Sequence, residues 1–170
     1  ISCGRKSVIP SILLKKKNKN IFTIHIQDPK INFNNFNIIV APEHDGIKGE
    51  NVINSKGAIH YITEEEIEKS KTYLIDKVQS QKVVALILGG PNKYYSFDNE
   101  EISKIFNQIK ESFIYNGYKA IIVPSMRTPK KTIELAKKEF ENDGYVVTEV
   151  NKQAYLSSLA IASNLVITCD

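Results

Sequence analysis

Residues 82–88, KVVALIL, form a nearly unbroken apolar run that stops at Gly89-Gly90, which suits a β-strand covered on both faces. A strand of that kind needs helices above and below it, and the following residues supply them. Asp98 and Glu101 have the spacing of a capping box, after which Ile102, Ile105, Phe106, Ile109 and Phe113 recur at helical intervals as far as Asn116-Gly117. A strand over 119–123 gives way at Pro124 to a polar loop and then to Thr128-Pro129, a helix cap followed by proline at the first helical position. Ile133, Ala136 and Phe140 make that helix's buried stripe; Asn142-Asp143-Gly144 is a turn, 145–150 a strand, 154–162 a helix and 165–168 a last strand. Such alternation specifies an α/β fold with a parallel, doubly wound sheet and right-handed crossovers.

The first half is less regular. Residues 7–14 suggest a short helix, 21–26 and 36–40 are strand candidates, and 32–37 between them is an asparagine-rich loop. Thr63 and Glu66 form a second capping box, opening a helix over 63–80 whose apolar positions include Ile67, Leu74, Ile75 and Val78. Ile1 to Gly4 reads as the end of a strand entering a helix, and Asp170 follows a strand directly, so both ends are expected to be cut edges that leave apolar surface able to self-associate.

With 170 residues and 42% hydrophobic content, the chain can bury one substantial core or two small lobes. Its net charge of +4 comes from lysines dispersed among glutamates, which favours an anionic ligand only mildly. The basic residues show no aromatic-rich stripe or reading motif, so nucleic-acid binding is not indicated. Cys3 and Cys169 stand near opposite ends without a CxxC pair, which points to neither a zinc knuckle nor a disulfide framework. No apolar run approaches the roughly 20 residues of a membrane span, and a cytoplasmic chain is expected. The basic run Lys15, Lys16, Lys17 and Lys19 allows peripheral contact with anionic headgroups as well as an ordinary solvated face.

Ligands of open α/β sheets gather beyond the carboxyl ends of strands. That rule selects the loops at 4–7, 42–45, 89–92, 125–128 and 169–170. Gly89 and Gly90 can admit a phosphate close to main-chain N–H groups, and Arg127 can supply a planar charged fork; diglycine after a strand is also a plain tight turn. Neither GxGxxG nor a P-loop motif is present, so no dinucleotide cofactor is indicated. Thr128 is either a helix cap or a ligand contact. Glu43-His44-Asp45 groups three ionisable side chains behind a strand, where Glu43 or His44 could act as a base or merely form a polar turn. A metal would need a third placed ligand and is not expected. His25 and His60 read as structural histidines, Tyr94, Tyr95 and Tyr155 as possible stacking partners for a base or sugar, and Cys3 lacks an identifiable base.

SCGRKS at 2–7, IQDPK at 26–30, VAPEHD at 40–45, NVINSKGAIH at 51–60, LGGPN at 88–92, SMRTP at 125–129 and VITCD at 166–170 give the chain its family character. In their order and spacing it resembles the mitochondrial fission ELM1-like family of bacterial and plant proteins, described as glycosyl transferases with two Rossmann-like domains. That resemblance implies a GT-B-like fold: 1–62 the later part of an acceptor-side lobe, 63–80 a bridging helix, and 81–170 a shortened nucleotide-sugar lobe. It implies a nucleotide-sugar donor held by Gly89, Gly90, Arg127, Thr128 and Asp170, and a saccharide or lipid-linked acceptor served by Glu43 and His44. Met126 stands where the family commonly has a second arginine, which weakens a phosphate clamp, and the chain stops where the family continues into a serine-containing loop. The plant members' link to organelle division implies the alternative of a non-enzymatic recruiter.

Overall fold

The computed structural model describes residues 1–79 and 82–168. They fall into two compact units, Ile1–Tyr61 and Ile62–Asp170. In the first, strands β1 (Ser2–Cys3), β2 (Ile24–Ile26), β3 (Ile38–Pro42) and β4 (Val52–Ser55) lie side by side in chain order, all parallel. Helix α1 (Val8–Lys17) joins β1 to β2 through a 3-10 turn at Arg5–Ser7. Val8 packs there on Phe36, Ile39 and Ala41, with Ile12, Phe33, Ile47 and Val52 around them. The alternation of the pleat puts His25 opposite Ile39 in register, so the imidazole is fully buried against the Phe36 ring, 4.8 Å between centroids. Its Nδ1 lies 2.8 Å from Ser2 Oγ, and burial, countered in part by the Asp28 charge, lowers its pKa below the usual histidine range. Lys15, Lys16 and Lys17 occupy the last turn of α1, where positive charge complements the helix dipole.

Two first-unit strands start later than their β-propensity suggests. Thr23 donates both its N–H and its hydroxyl to Asn37 Oδ1, at 2.9 and 3.1 Å, and Asn37 N–H returns a bond to Thr23 Oγ1. That polar clasp replaces ladder pairing and delays β2 to Ile24 and β3 to Ile38. Strand β4, unread in the sequence, is a short edge strand whose Asn54 and Ser55 give no apolar alternation.

The second unit begins with α2 (Glu64–Ser70) and α3 (Thr72–Val78), and then alternates β5 (Val83–Leu88), α4 (Asn99–Ser112), β6 (Lys119–Pro124), α5 (Lys130–Glu139), β7 (Gly144–Val146), α6 (Lys152–Ile161) and β8 (Asn164–Ile167). Its four strands are parallel in the order β7-β6-β5-β8. Val84, Leu86 and Leu88 face Ile102, Phe106 and Ile109 of α4 and Ala136 of α5 on one side. Val83, Ile121 and Val123 face Leu74 and Val78 of α3 and Ala154 of α6 on the other. The expected parallel α/β architecture is thus present, with KVVALIL as the doubly covered central strand.

Both capping residues act as expected: Thr63 accepts from Glu66 N–H at 3.2 Å and Asp98 from Glu101 N–H at 2.9 Å. The helix expected over 63–80 is broken at Lys71. Fully buried Ser157 of α6 accepts Leu74 N–H and donates to Lys71 O, both at 3.1 Å, satisfying the backbone groups that the break frees. Of the expected apolar positions in α3, Leu74 and Val78 are inside and Ile75 is 42% exposed. Thr128 does not cap α5. Pro129 is the capping position with extended backbone, ψ 142°, and the Thr128 hydroxyl is engaged elsewhere.

Candidate functional site

The second sheet builds outward from β5 to β6 and β7, then crosses back to set β8 on the other side of β5. Strand order therefore reverses between β5 and β8, the position where open α/β sheets hold ligands beyond their carboxyl ends. Three loops meet there. Thr168, just past β8, accepts Gly89 N–H at 2.8 Å through Oγ1 and donates its own N–H to Ile87 O at 3.0 Å. Thr128 Oγ1 lies 2.8 Å from both Leu88 O and Gly89 O and accepts Ser125 N–H at 2.9 Å. A β-carbon on Gly90 would sit 2.2 Å from Arg127 O, so glycine is required by a backbone crossing. Gly89, Gly90, Arg127 and Thr128 are thus brought together. Gly89's amide proton is committed to Thr168, and Gly90 serves the fit of two loops. The Arg127 side chain is exposed beside Met126, itself 85% exposed.

Phe97, in the same β5–α4 loop, is buried with φ 56°, a costly conformation for a bulky residue and one that clusters at functional sites. Its N–H donates to Glu101 Oε2 at 3.0 Å, so the reciprocal capping bond reaches the residue before the cap. Asn92 holds the preceding turn by accepting from Tyr94 and Tyr95 N–H at 2.8 and 3.1 Å, which leaves both tyrosine rings exposed. A cavity of about 290 Å³ beside β8 is lined by Tyr95, Phe97, Ile102, Ile105, Val166 and Thr168, among others. Asp170, expected as a ligand contact, and Cys169 lie outside the described residues.

The first unit carries a second cluster at the carboxyl end of its sheet. Arg5 follows β1, Gln27, Asp28 and Lys30 follow β2, and His44 and Asp45 follow β3; together with Pro42 and Ala58 they line a cavity of about 210 Å³. His44 Nε2 stands 3.8 Å from Asp45 Oδ1. Glu43, one turn position away, is exposed and does not line the cavity. Asp28 is the most enclosed of these groups, its side chain 8% exposed and 2.6 Å from Lys30 Nζ, with Lys30 N–H donating to its other oxygen at 2.8 Å. Burial pushes the Asp28 carboxyl up, but the hydrogen bonds and charge of Lys30, with the charge of Arg5, outweigh it and hold the group below 3.8. Gln27 and Lys30 take φ of 81° and 57°, so both ends of this small loop are strained.

Among the described residues no cluster of histidine, cysteine and carboxylate side chains fits a metal ion, and no helix is long and apolar enough to cross a membrane. The sheet rule singles out in the sequence the loop that holds Arg5, but not the turn after β2 with Gln27, Asp28 and Lys30, nor Phe97 and Thr168. IQDPK was visible as a motif; its strained backbone was not, because nothing in the residue types Gln and Lys announces positive φ.

The chain aligns along its whole length with two curated relatives. It is 24% identical over 217 residues to the protein named "Uncharacterized protein RP120" of Rickettsia prowazekii (strain Madrid E), covering 58% of that protein. It is 21% identical over 198 residues to "Mitochondrial fission protein ELM1" of Arabidopsis thaliana, covering 46% of it. The chain therefore spans about half the length of these relatives. The family model described as Mitochondrial fission ELM1 matches residues 1–170, and the chain belongs to that family.

Proposed function

We propose that the chain carries part of a nucleotide-sugar-dependent glycosyl transferase, with the donor's diphosphate at the crevice where β5, β6 and β8 end. The observation that supports this reading is the convergence of Gly90, Arg127, Thr128 and Thr168 at the point of strand-order reversal. In it, Arg127 provides a planar, permanently charged donor set toward the leaving diphosphate, where negative charge grows as the glycosidic bond breaks. Thr128 and the two glycines act one step back, fixing the loop that presents Arg127. The first unit serves the acceptor. His44 is the better placed base of the two candidates, since it lines a cavity and has the Asp45 carboxylate beside it, whereas Glu43 does neither.

Calorimetric titration of UDP, GDP, CDP and their sugars into this chain and into the full-length Rickettsia protein tests the donor site. One base should bind saturably, and Arg127→Ala should weaken it about tenfold or more, the worth of a charge-assisted hydrogen bond. The name of the Arabidopsis relative supports a second reading, an interaction protein of organelle division. Absence of nucleotide binding by both proteins would transfer the case to that reading.

A further inference from the structure

We infer that the cavity at the carboxyl end of the first sheet is a binding site for a neutral, polyhydroxylated ring, a saccharide unit, with Asp28 as its principal hydrogen-bond acceptor. Its wall carries two bases, Arg5 and Lys30, and two acids, Asp28 and Asp45, with His44 3.8 Å from Asp45. That balance selects against a phosphate, which would have to sit beside two carboxylates, and against a simple cation, which would meet Arg5 and Lys30. A ligand bearing alternating donors and acceptors satisfies all of them. Buried Pro42 and exposed Ala58 complete its lining.

The volume, about 210 Å³, is below the 300–1,000 Å³ of pockets for drug-sized ligands and suits a single ring. Asp28 is held ready by the loop itself. Lys30 occupies one direction on each carboxylate oxygen, at 2.6 and 2.8 Å, which leaves a second acceptor direction on each for hydroxyl groups. The positive φ of Gln27 and Lys30 is the conformational cost of that arrangement, stored where a ligand would meet it. The inference rests on the transferase reading only in identifying this saccharide as the acceptor.

The test is amide-resolved NMR of the 170-residue chain titrated separately with methyl α-glucopyranoside, methyl α-mannopyranoside, N-acetylglucosamine and inorganic phosphate. At least one sugar should shift the amides of Gln27, Asp28, Lys30 and His44 saturably while phosphate leaves them in place. Asp28→Asn should weaken that sugar about tenfold. Should Asp28→Asn disturb the whole spectrum, Gln27→Asn, which tolerates positive φ and shortens the side chain, takes its place with the same expected direction. Phosphate saturating these amides in place of sugar, or no probe moving them, overturns the inference. Silence in this cavity while a nucleotide still shifts Arg127 and Thr128 removes the saccharide site and spares the donor site; the reverse pattern removes the donor site alone.

Discussion

Replacing Gly90 by alanine tests the crossing that organises the donor-side crevice. The added methyl would lie 2.2 Å from Arg127 O and 2.5 Å from its carbonyl carbon. Both are main-chain atoms, so no side-chain rotation relieves the overlap, and the end of β5 or the 125–128 loop must move. Overpacking of this kind costs about 1–3 kcal/mol. With a urea dependence of about 1–3 kcal/mol per molar, the unfolding midpoint of the second unit should fall by about 1 M. Tyrosine fluorescence reads that unit well, because of the eight tyrosines only Tyr61 lies in the first. Displacement of Arg127 should weaken nucleotide diphosphate binding in the same variant. A Gly90→Ala chain with an unchanged midpoint and unchanged nucleotide affinity would refute the claim that the Gly90–Arg127 approach builds the site.

Thr128→Val should destabilise the second unit by about 1–3 kcal/mol, since it strips the acceptor for Ser125 N–H and the donor to Leu88 O and Gly89 O, whereas Thr128→Ser should stay near the parent in urea melts. Ser157→Ala should cost about 1–3 kcal/mol and raise hydrogen exchange at Leu74, whose buried N–H loses its acceptor. The depressed Asp28 pKa contributes first-unit stability that is fully present above the unfolded value of 3.8 and is lost as pH falls through the lower folded value. Exchange protection of β2 and β3 amides should therefore favour the parent over Asp28→Asn near neutrality, with the difference vanishing in strong acid.

The centre of the second sheet was legible because β5 and β6 are concentrated apolar runs between capping and turn residues, whereas β7, expected over 145–150, is only the partly buried Gly144–Val146. KVVALIL, the Asp98 and Thr63 caps and the Asn116-Gly117 stop all act locally, and local chemistry decides them. What escaped was set at a distance. Ser157 breaks the 63–80 helix from 83 and 86 residues away in sequence, and Thr128 turns from capping its own helix to bridging the end of β5. In the first unit the buried surface is small and the strands are short, so the Thr23–Asn37 clasp outweighs β-propensity in placing the strand starts. The sheet rule points to most of the loops that form the two clusters but not to the turn after β2, whose strained backbone brings Asp28 to its cavity; of Glu43 and His44, equal candidates in the sequence and both exposed, only His44 lines that cavity.

The most direct test of the donor-site claim is amide-resolved NMR of the chain with whichever nucleoside diphosphate binds in calorimetry. The account predicts saturable shifts centred on Gly90, Arg127, Thr128 and Thr168, lost in Arg127→Ala while the fold is retained. Saturable binding whose shifts lie elsewhere, or that survives Arg127→Ala undiminished, would contradict it.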